Sequence, residues 1–168
     1  MAITLLPLDL TRWDEHDRDA LVVSTFIDER PLRGAAGLAD WRLCGRLSRL
    51  IKAEKQSGIR GETLMLPPGK RLRFRRLFWF GLGGSPGYPD ERFKTDVAWM
   101  LDVAGKAGAR DIALQPPGRA TGIIGARRAL ELLLDVVPDM LSIALIEDPA
   151  GQKDVAELLR HSRVERSA

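Results

Sequence analysis

Apolar residues along the chain follow two periodicities. Short runs rich in β-branched or aromatic residues at 3–8, 20–27, 62–67, 77–80, 112–115 and 141–146 predict six strands. Leu21-Val22-Val23-Ser24-Thr25-Phe26-Ile27 is apolar almost throughout, as expected of a strand covered on both faces. Elsewhere the spacing is helical. Leu38, Trp41, Cys44, Leu47, Leu50 and Ile51 recur every three or four residues and predict one helix, with Trp41 and Cys44 on its buried face and Gly58 and Gly61 beyond its end. Phe93, Val97, Met100, Leu101 and Ala104 predict a second, opened by Pro89-Asp90-Glu91 and closed by Gly105 and Gly108. A third is expected over 123–137, and 155–159 forms the core of a last helix entered at Asp148-Pro149. The polar stretch 11–18 reads as a connection.

The order of these elements selects the fold class. The later half alternates strand and helix, which argues for parallel strands with helices on both faces. The earlier half sets strands 62–67 and 77–80 on either side of a Pro67-Pro68-Gly69 turn with no helix between them. The expectation is a three-layer α/β/α sandwich around a mixed, mostly parallel sheet. A chain of 168 residues with no internal repeat is expected to form one domain over 1–168, with a tail from about 160.

Composition narrows the chemistry. Hydrophobic residues make up 45% and charged residues 29%, so the chain is ordinary globular material. Its one cysteine excludes an internal disulfide and a cysteine-based zinc cluster, and His16 and His161 are too few for a histidine-rich metal site. The first ten residues lack a basic lead and carry Asp9, unlike a secretory signal. No apolar stretch is long enough to cross a membrane. A cytoplasmic protein with no cofactor, no metal and no catalytic residue is expected.

Charge is unevenly placed. Between Arg42 and Arg76 stand eleven Lys and Arg against Glu54 and Glu62, a local +9 in a chain whose total is +3. Arg42, Arg46 and Arg49 share a helix face, and Lys70, Arg71, Arg73, Arg75 and Arg76 form a basic stretch near the turn. Such a surface suits an acidic protein partner or a nucleic acid. Among the interleaved aromatics, Phe74 is expected to be exposed, whereas Trp41, Phe78 and Phe80 read as core. Cys44 reads as a small buried hydrophobe.

Two glycine-rich loops are candidate ligand cradles. Gly81-Leu82-Gly83-Gly84-Ser85-Pro86-Gly87 follows a strand and precedes a helix, where backbone N–H groups can face a phosphate. Its spacing fits neither the dinucleotide fingerprint nor a P-loop, and a tight turn at a strand end is the favoured account. Thr121-Gly122-Ile123-Ile124-Gly125 likewise opens a helix.

Asp28-Glu29-Arg30-Pro31-Leu32-Arg33-Gly34, the segment 38–51, Gly61-Glu62-Thr63-Leu64-Met65-Leu66 and Leu77-Phe78-Trp79-Phe80-Gly81-Leu82-Gly83 together resemble the N-terminal domain of leucyl aminopeptidases. The resemblance implies a macrodomain-like α/β/α fold. It also implies that peptidase chemistry belongs to a separate C-terminal domain with two zinc ions, whose Asn-Thr-Asp-Ala-Glu-Gly-Arg stretch does not occur here. A stand-alone N-terminal domain without peptidase activity is the resulting expectation. In that family the domain makes hexamer contacts and, in some bacterial members, binds nucleic acid, so self-association, a protein partner or nucleic acid are the implied roles. The 121–125 loop resembles the Thr-Gly-Ile-x-Gly stretch that macrodomains wrap around the diphosphate of ADP-ribose. Asp28 matches their adenine-reading Asp by loose analogy, while the Asn-rich segment facing the distal ribose has no counterpart in a chain without Asn.

Overall fold

The computed structural model describes residues 2–167, with side chains as far as His161. Six strands form one sheet: β1 (Ala2–Pro7), β2 (Arg18–Thr25), β3 (Thr63–Leu66), β4 (Phe74–Gly81), β5 (Asp111–Leu114) and β6 (Ser142–Glu147). Their order is β1-β6-β5-β2-β4-β3, and every pairing is parallel except the antiparallel β3 to β4. The six strands and the mixed, mostly parallel sheet match the expectation.

Strand alternation divides the core into two layers. Val22, Phe78, Phe80, Ile112, Leu114, Ile143 and Leu145 point to one face of the sheet. That face is covered by α4 (Asp90–Lys106), α5 (Ala126–Leu134) and α6 (Pro149–Ser167). Leu21, Val23, Leu77, Trp79, Ala113 and Ile146 point to the other, under α1 (Leu10–Trp13), α2 (Gly34–Arg42) and α3 (Arg46–Lys52). Helix α2 presents Ala35, Ala36 and Ala39, side chains small enough to bring its backbone close to the strands.

The helix expected over 38–51 is two helices. Cys44 and Gly45 adopt φ of +57° and +80°, which ends α2 and starts α3 on a new axis. Helical phase does not carry across that break, so Leu43 and Leu47 are buried while Trp41 stands 73% exposed and Cys44 lies at the surface. Both were expected inside. Phe74 shows the reverse: it is buried edge-to-face against Trp13, with ring centroids 5.9 Å apart. Strand β4 starts at Phe74 rather than Leu77, so the second half of the basic stretch is strand. The connection 11–18 contains α1, capped by Asp9 accepting the Thr11 N–H at 2.8 Å. Helix α5 is shorter at both ends than 123–137. The α6 backbone is helical to Ser167 where a tail was expected; side chains beyond 161 lie outside the described residues.

Candidate functional site

Five parallel strands end at one edge of the sheet, and the chain's path divides beside β2. From β4 the chain passes through α4 and returns as β5 on the far side of β2. Ligand crevices in open α/β sheets form at such points, outside the carboxyl ends of the strands. Three loops meet here: 26–33 after β2, 82–89 after β4 and 115–125 after β5.

The first loop closes a turn in which the Glu29 N–H donates to the Phe26 carbonyl and Glu29 Oε2 accepts the Phe26 N–H, both at 3.1 Å. This folds the Glu29 side chain inward until only 6% is exposed. Burial raises its pKa above the ordinary carboxyl value, and the Phe26 N–H and nearby Arg33 and Arg30 only partly offset this. Arg30 donates to the carbonyls of Glu29 (2.8 Å) and Ser57 (2.7 Å).

In the second loop, glycine is required for packing. A Cβ on Gly81 would overlap the Ile59 carbonyl. Gly83 has φ +78° and bridges two segments, donating to the Gly58 carbonyl at 2.7 Å and accepting the Ile27 N–H at 2.9 Å. Beyond them Ser85 donates both its backbone N–H (3.0 Å) and its hydroxyl to Asp28, which holds that carboxyl below the usual range. The loop's far end is fixed by buried Asp96, which accepts from Tyr88 Oη (2.8 Å) and Arg60 (2.9 Å). Burial, then the Asp96 charge, raises the Tyr88 pKa, so the phenol stays a donor.

The third loop hangs on Arg119. Its guanidinium makes two 2.8 Å bonds to the buried carboxylate of Glu147 at the end of β6, and a third to the Ile124 carbonyl. Gln115 Oε1 accepts the Ala35 N–H at 2.7 Å, tying the start of α2 to the same edge.

Together the loops enclose a cavity of about 240 Å³ lined by Phe26, Asp28, Glu29, Arg30, Arg33, Ser85, Thr121 and Ile123. The two glycine-rich segments singled out in the sequence thus converge, through Ser85, Thr121 and Ile123. Gly81 and Gly83 serve the turn itself, whereas Gly84, Gly122 and Gly125 are exposed. Asp28 does line the cavity, but its carboxylate is engaged by Ser85. The segment 28–34 is folded on itself and on Ser85. Glu29 and Arg33 were not proposed as site residues; a charged run gives no hint of which member is turned inward. A second hollow at this edge, about 440 Å³, is lined by Pro7, Leu8, Asp9, Leu10, Leu38, Pro149 and Gln152. None of these carries a buried unpartnered polar atom.

The basic segment is largely engaged within the chain. Arg42 bonds both carboxylate oxygens of Asp14 (2.8 and 3.1 Å), and Arg73 does the same to Asp17 (2.8 and 3.3 Å). Arg46 donates to the Pro67 carbonyl, Arg49 to the Cys44 carbonyl and Arg76 to the Ala107 carbonyl, while Arg71 lies 3.1 Å from Cys44 Sγ. The side chains of Lys70 and Arg75 make no hydrogen bond among the described residues, and both residues are exposed. No cluster of three or more His, Cys, Asp or Glu with metal-holding geometry occurs among the described residues, and no helix is long and apolar enough to cross a membrane.

With this geometry in place, comparison with known proteins supplies the lineage. The profile of the cytosol aminopeptidase family, N-terminal domain, matches residues 22–131, more than half of the chain. The chain belongs to that family. The probable cytosol aminopeptidase of Alkaliphilus metalliredigens is 27% identical over 100 residues, which are 60% of this chain and 20% of that protein. That of Burkholderia multivorans is 32% identical over 90 residues, 52% of this chain and 18% of that protein. The matched region thus spans about a fifth of these relatives' length. Among solved structures, the Trypanosoma brucei macrodomain in complex with ADP superposes with a TM-score of 0.68 at 19% identity, over 94% of this chain and 69% of that one. A tomato leucine aminopeptidase mutant superposes at 0.59 with 16% identity, over 93% of this chain and 35% of that one. These likenesses establish the macrodomain-like fold shared by the family's N-terminal domain.

Proposed function

We propose that this domain of the cytosol aminopeptidase family is a non-catalytic interaction or regulatory module in the cytoplasm, acting by self-association or through a protein partner. The observation that carries the reading is Trp41. An indole left 73% exposed on α2 is a large apolar anchor, and the following helix α3 adds the exposed basic residues Arg46, Arg49 and Lys52. The hexamer contacts implied by the family resemblance point the same way. Self-association is the form tested first, by light scattering across a concentration series. Assembly that weakens by at least about tenfold in W41S and in R46E/R49E supports the proposal. A monomer at every concentration, or an assembly indifferent to both variants, overturns self-association and leaves the protein-partner form to be tested with the same variants.

A second reading, a ligand-binding module, is favoured by the cavity at the strand ends and by the buried polar atoms in its lining. Similar macrodomains solved with ADP, from Oceanobacillus iheyensis and Trypanosoma brucei, make a nucleotide the first class to try. Calorimetry with ADP-ribose tests it, and absence of heat at millimolar ligand removes that class.

A further inference from the structure

We propose that the cavity between residues 26–33, Ser85 and Thr121 binds a small zwitterion, a free α-amino acid, with its ammonium group on Glu29 and its carboxylate on Arg33. This rests on the reading that the cavity is a ligand site.

The first observation is a shortage of donors. Glu29 is buried and lines the cavity; its Oε2 accepts the Phe26 N–H, but Oε1 has no hydrogen-bond partner. Thr121 Oγ1, in the same lining, is also buried and unpartnered. The described residues hold three such side-chain atoms, so finding two at one cavity marks it off from the rest of the molecule. A buried carboxylate oxygen without a donor is costly, and such atoms in native structures call for a partner. A ligand ammonium supplies one.

The second observation is the charge balance. Asp28 and Glu29 face Arg30 and Arg33, so the lining carries equal numbers of acids and bases. Ser85 engages Asp28, and Arg30 donates to two backbone carbonyls. That leaves one acid, Glu29 at Oε1, and one base, Arg33, whose guanidinium makes no hydrogen bond among the described residues while its backbone carbonyl accepts the Gly37 N–H. A phosphate dianion placed here would lie beside two carboxylates, a like-charge arrangement that costs affinity. A zwitterion meets both groups with the matching sign.

Size points the same way. About 240 Å³ falls below the roughly 300–1,000 Å³ of pockets that hold larger ligands. Phe26 and Ile123 offer apolar contact to a short aliphatic side chain.

The test is calorimetry on the full chain with L-valine, N-acetyl-L-valine, L-valinamide and ADP-ribose. L-Valine is expected to bind, with N-acetyl-L-valine and L-valinamide each at least about tenfold weaker because each lacks one charge. E29Q keeps the shape and an acceptor for Phe26, and R33Q changes an exposed side chain; each is expected to lose at least about tenfold for L-valine with an unchanged circular dichroism spectrum. Equal binding of the three valine forms, or L-valine binding indifferent to E29Q, overturns the zwitterion. ADP-ribose binding without L-valine binding overturns it too but retains a ligand site. Heat from no probe at about 10 mM overturns both.

Discussion

At Glu29 burial and hydrogen bonding pull in opposite directions, and burial wins. Its folded pKa therefore lies above that of the unfolded chain, where a Glu titrates near about 4.3. An acid with a raised folded pKa contributes fully to stability below its unfolded value and loses that contribution as pH rises through the folded value. At neutral pH the ionised side chain is a burden that an uncharged isostere lacks. E29Q is expected to raise the urea midpoint at pH 7, with the gain shrinking to nothing as pH falls toward about 4. A gain that stays constant across that range would mean the effect is not ionisation. The same substitution is expected to remove amino-acid binding, so the cost of holding Glu29 in place is tied to what the cavity recognises. None of this is visible in the residues alone. The charged run around Glu29 is legible as surface charge, and only the Phe26 to Glu29 turn singles out one carboxyl and turns it inward. Trp41 and Phe74 were misplaced for a related reason, because two consecutive left-handed residues, Cys44 and Gly45, reset helical phase and an earlier strand start brings an aromatic under α1.

Between elements, glycines divide into those that permit close approach and those that merely stand in a helix. Gly81 ends β4 where the 58–59 backbone crosses it, and an added Cβ would strike a carbonyl rather than a flexible side chain. G81A is expected to lower stability by about 2–4 kcal/mol, since the backbone must move. Gly105 is in α4 with an ordinary helical φ and nothing within 4 Å of an added Cβ. G105A is expected to raise stability by about 0.5–1 kcal/mol through helix propensity. Urea denaturation of the pair checks both signs, and equal effects would contradict the packing account. Element order was the most legible level of this sequence, because six strands and three of the helices announce themselves by period. The start of β4 at Phe74 was not legible, since Arg75 and Arg76 interrupt the apolar run; the strand geometry there comes from the parallel pairing of Phe74 with Arg18 and of Arg76 with Ala20 of β2. The glycine loops were legible as loops, but which glycines face ligand and which face backbone depends on the 58–60 segment lying across them.

Across the whole molecule, the candidate site depends on an ion pair at the end of β6, two strands from β2. Arg119 and Glu147 are 11% and 1% exposed, join β6 to the 115–125 loop, and leave Gly151 no room for a side chain. Removing one partner strands a buried charge, so R119A is expected to cost about 3–5 kcal/mol. Replacing both by apolar residues of similar size removes the desolvation burden along with the attraction, and R119M/E147L is expected to recover most of that loss. Stability and binding then separate. The apolar pair restores packing but not the third bond, from Arg119 to the Ile124 carbonyl, which sets the course of the loop that carries Thr121. The double variant is therefore expected to unfold at nearly the wild-type urea concentration while binding L-valine at least about tenfold more weakly. Full binding in R119M/E147L would show that packing alone shapes the cavity, and that the buried pair serves the fold but not the site.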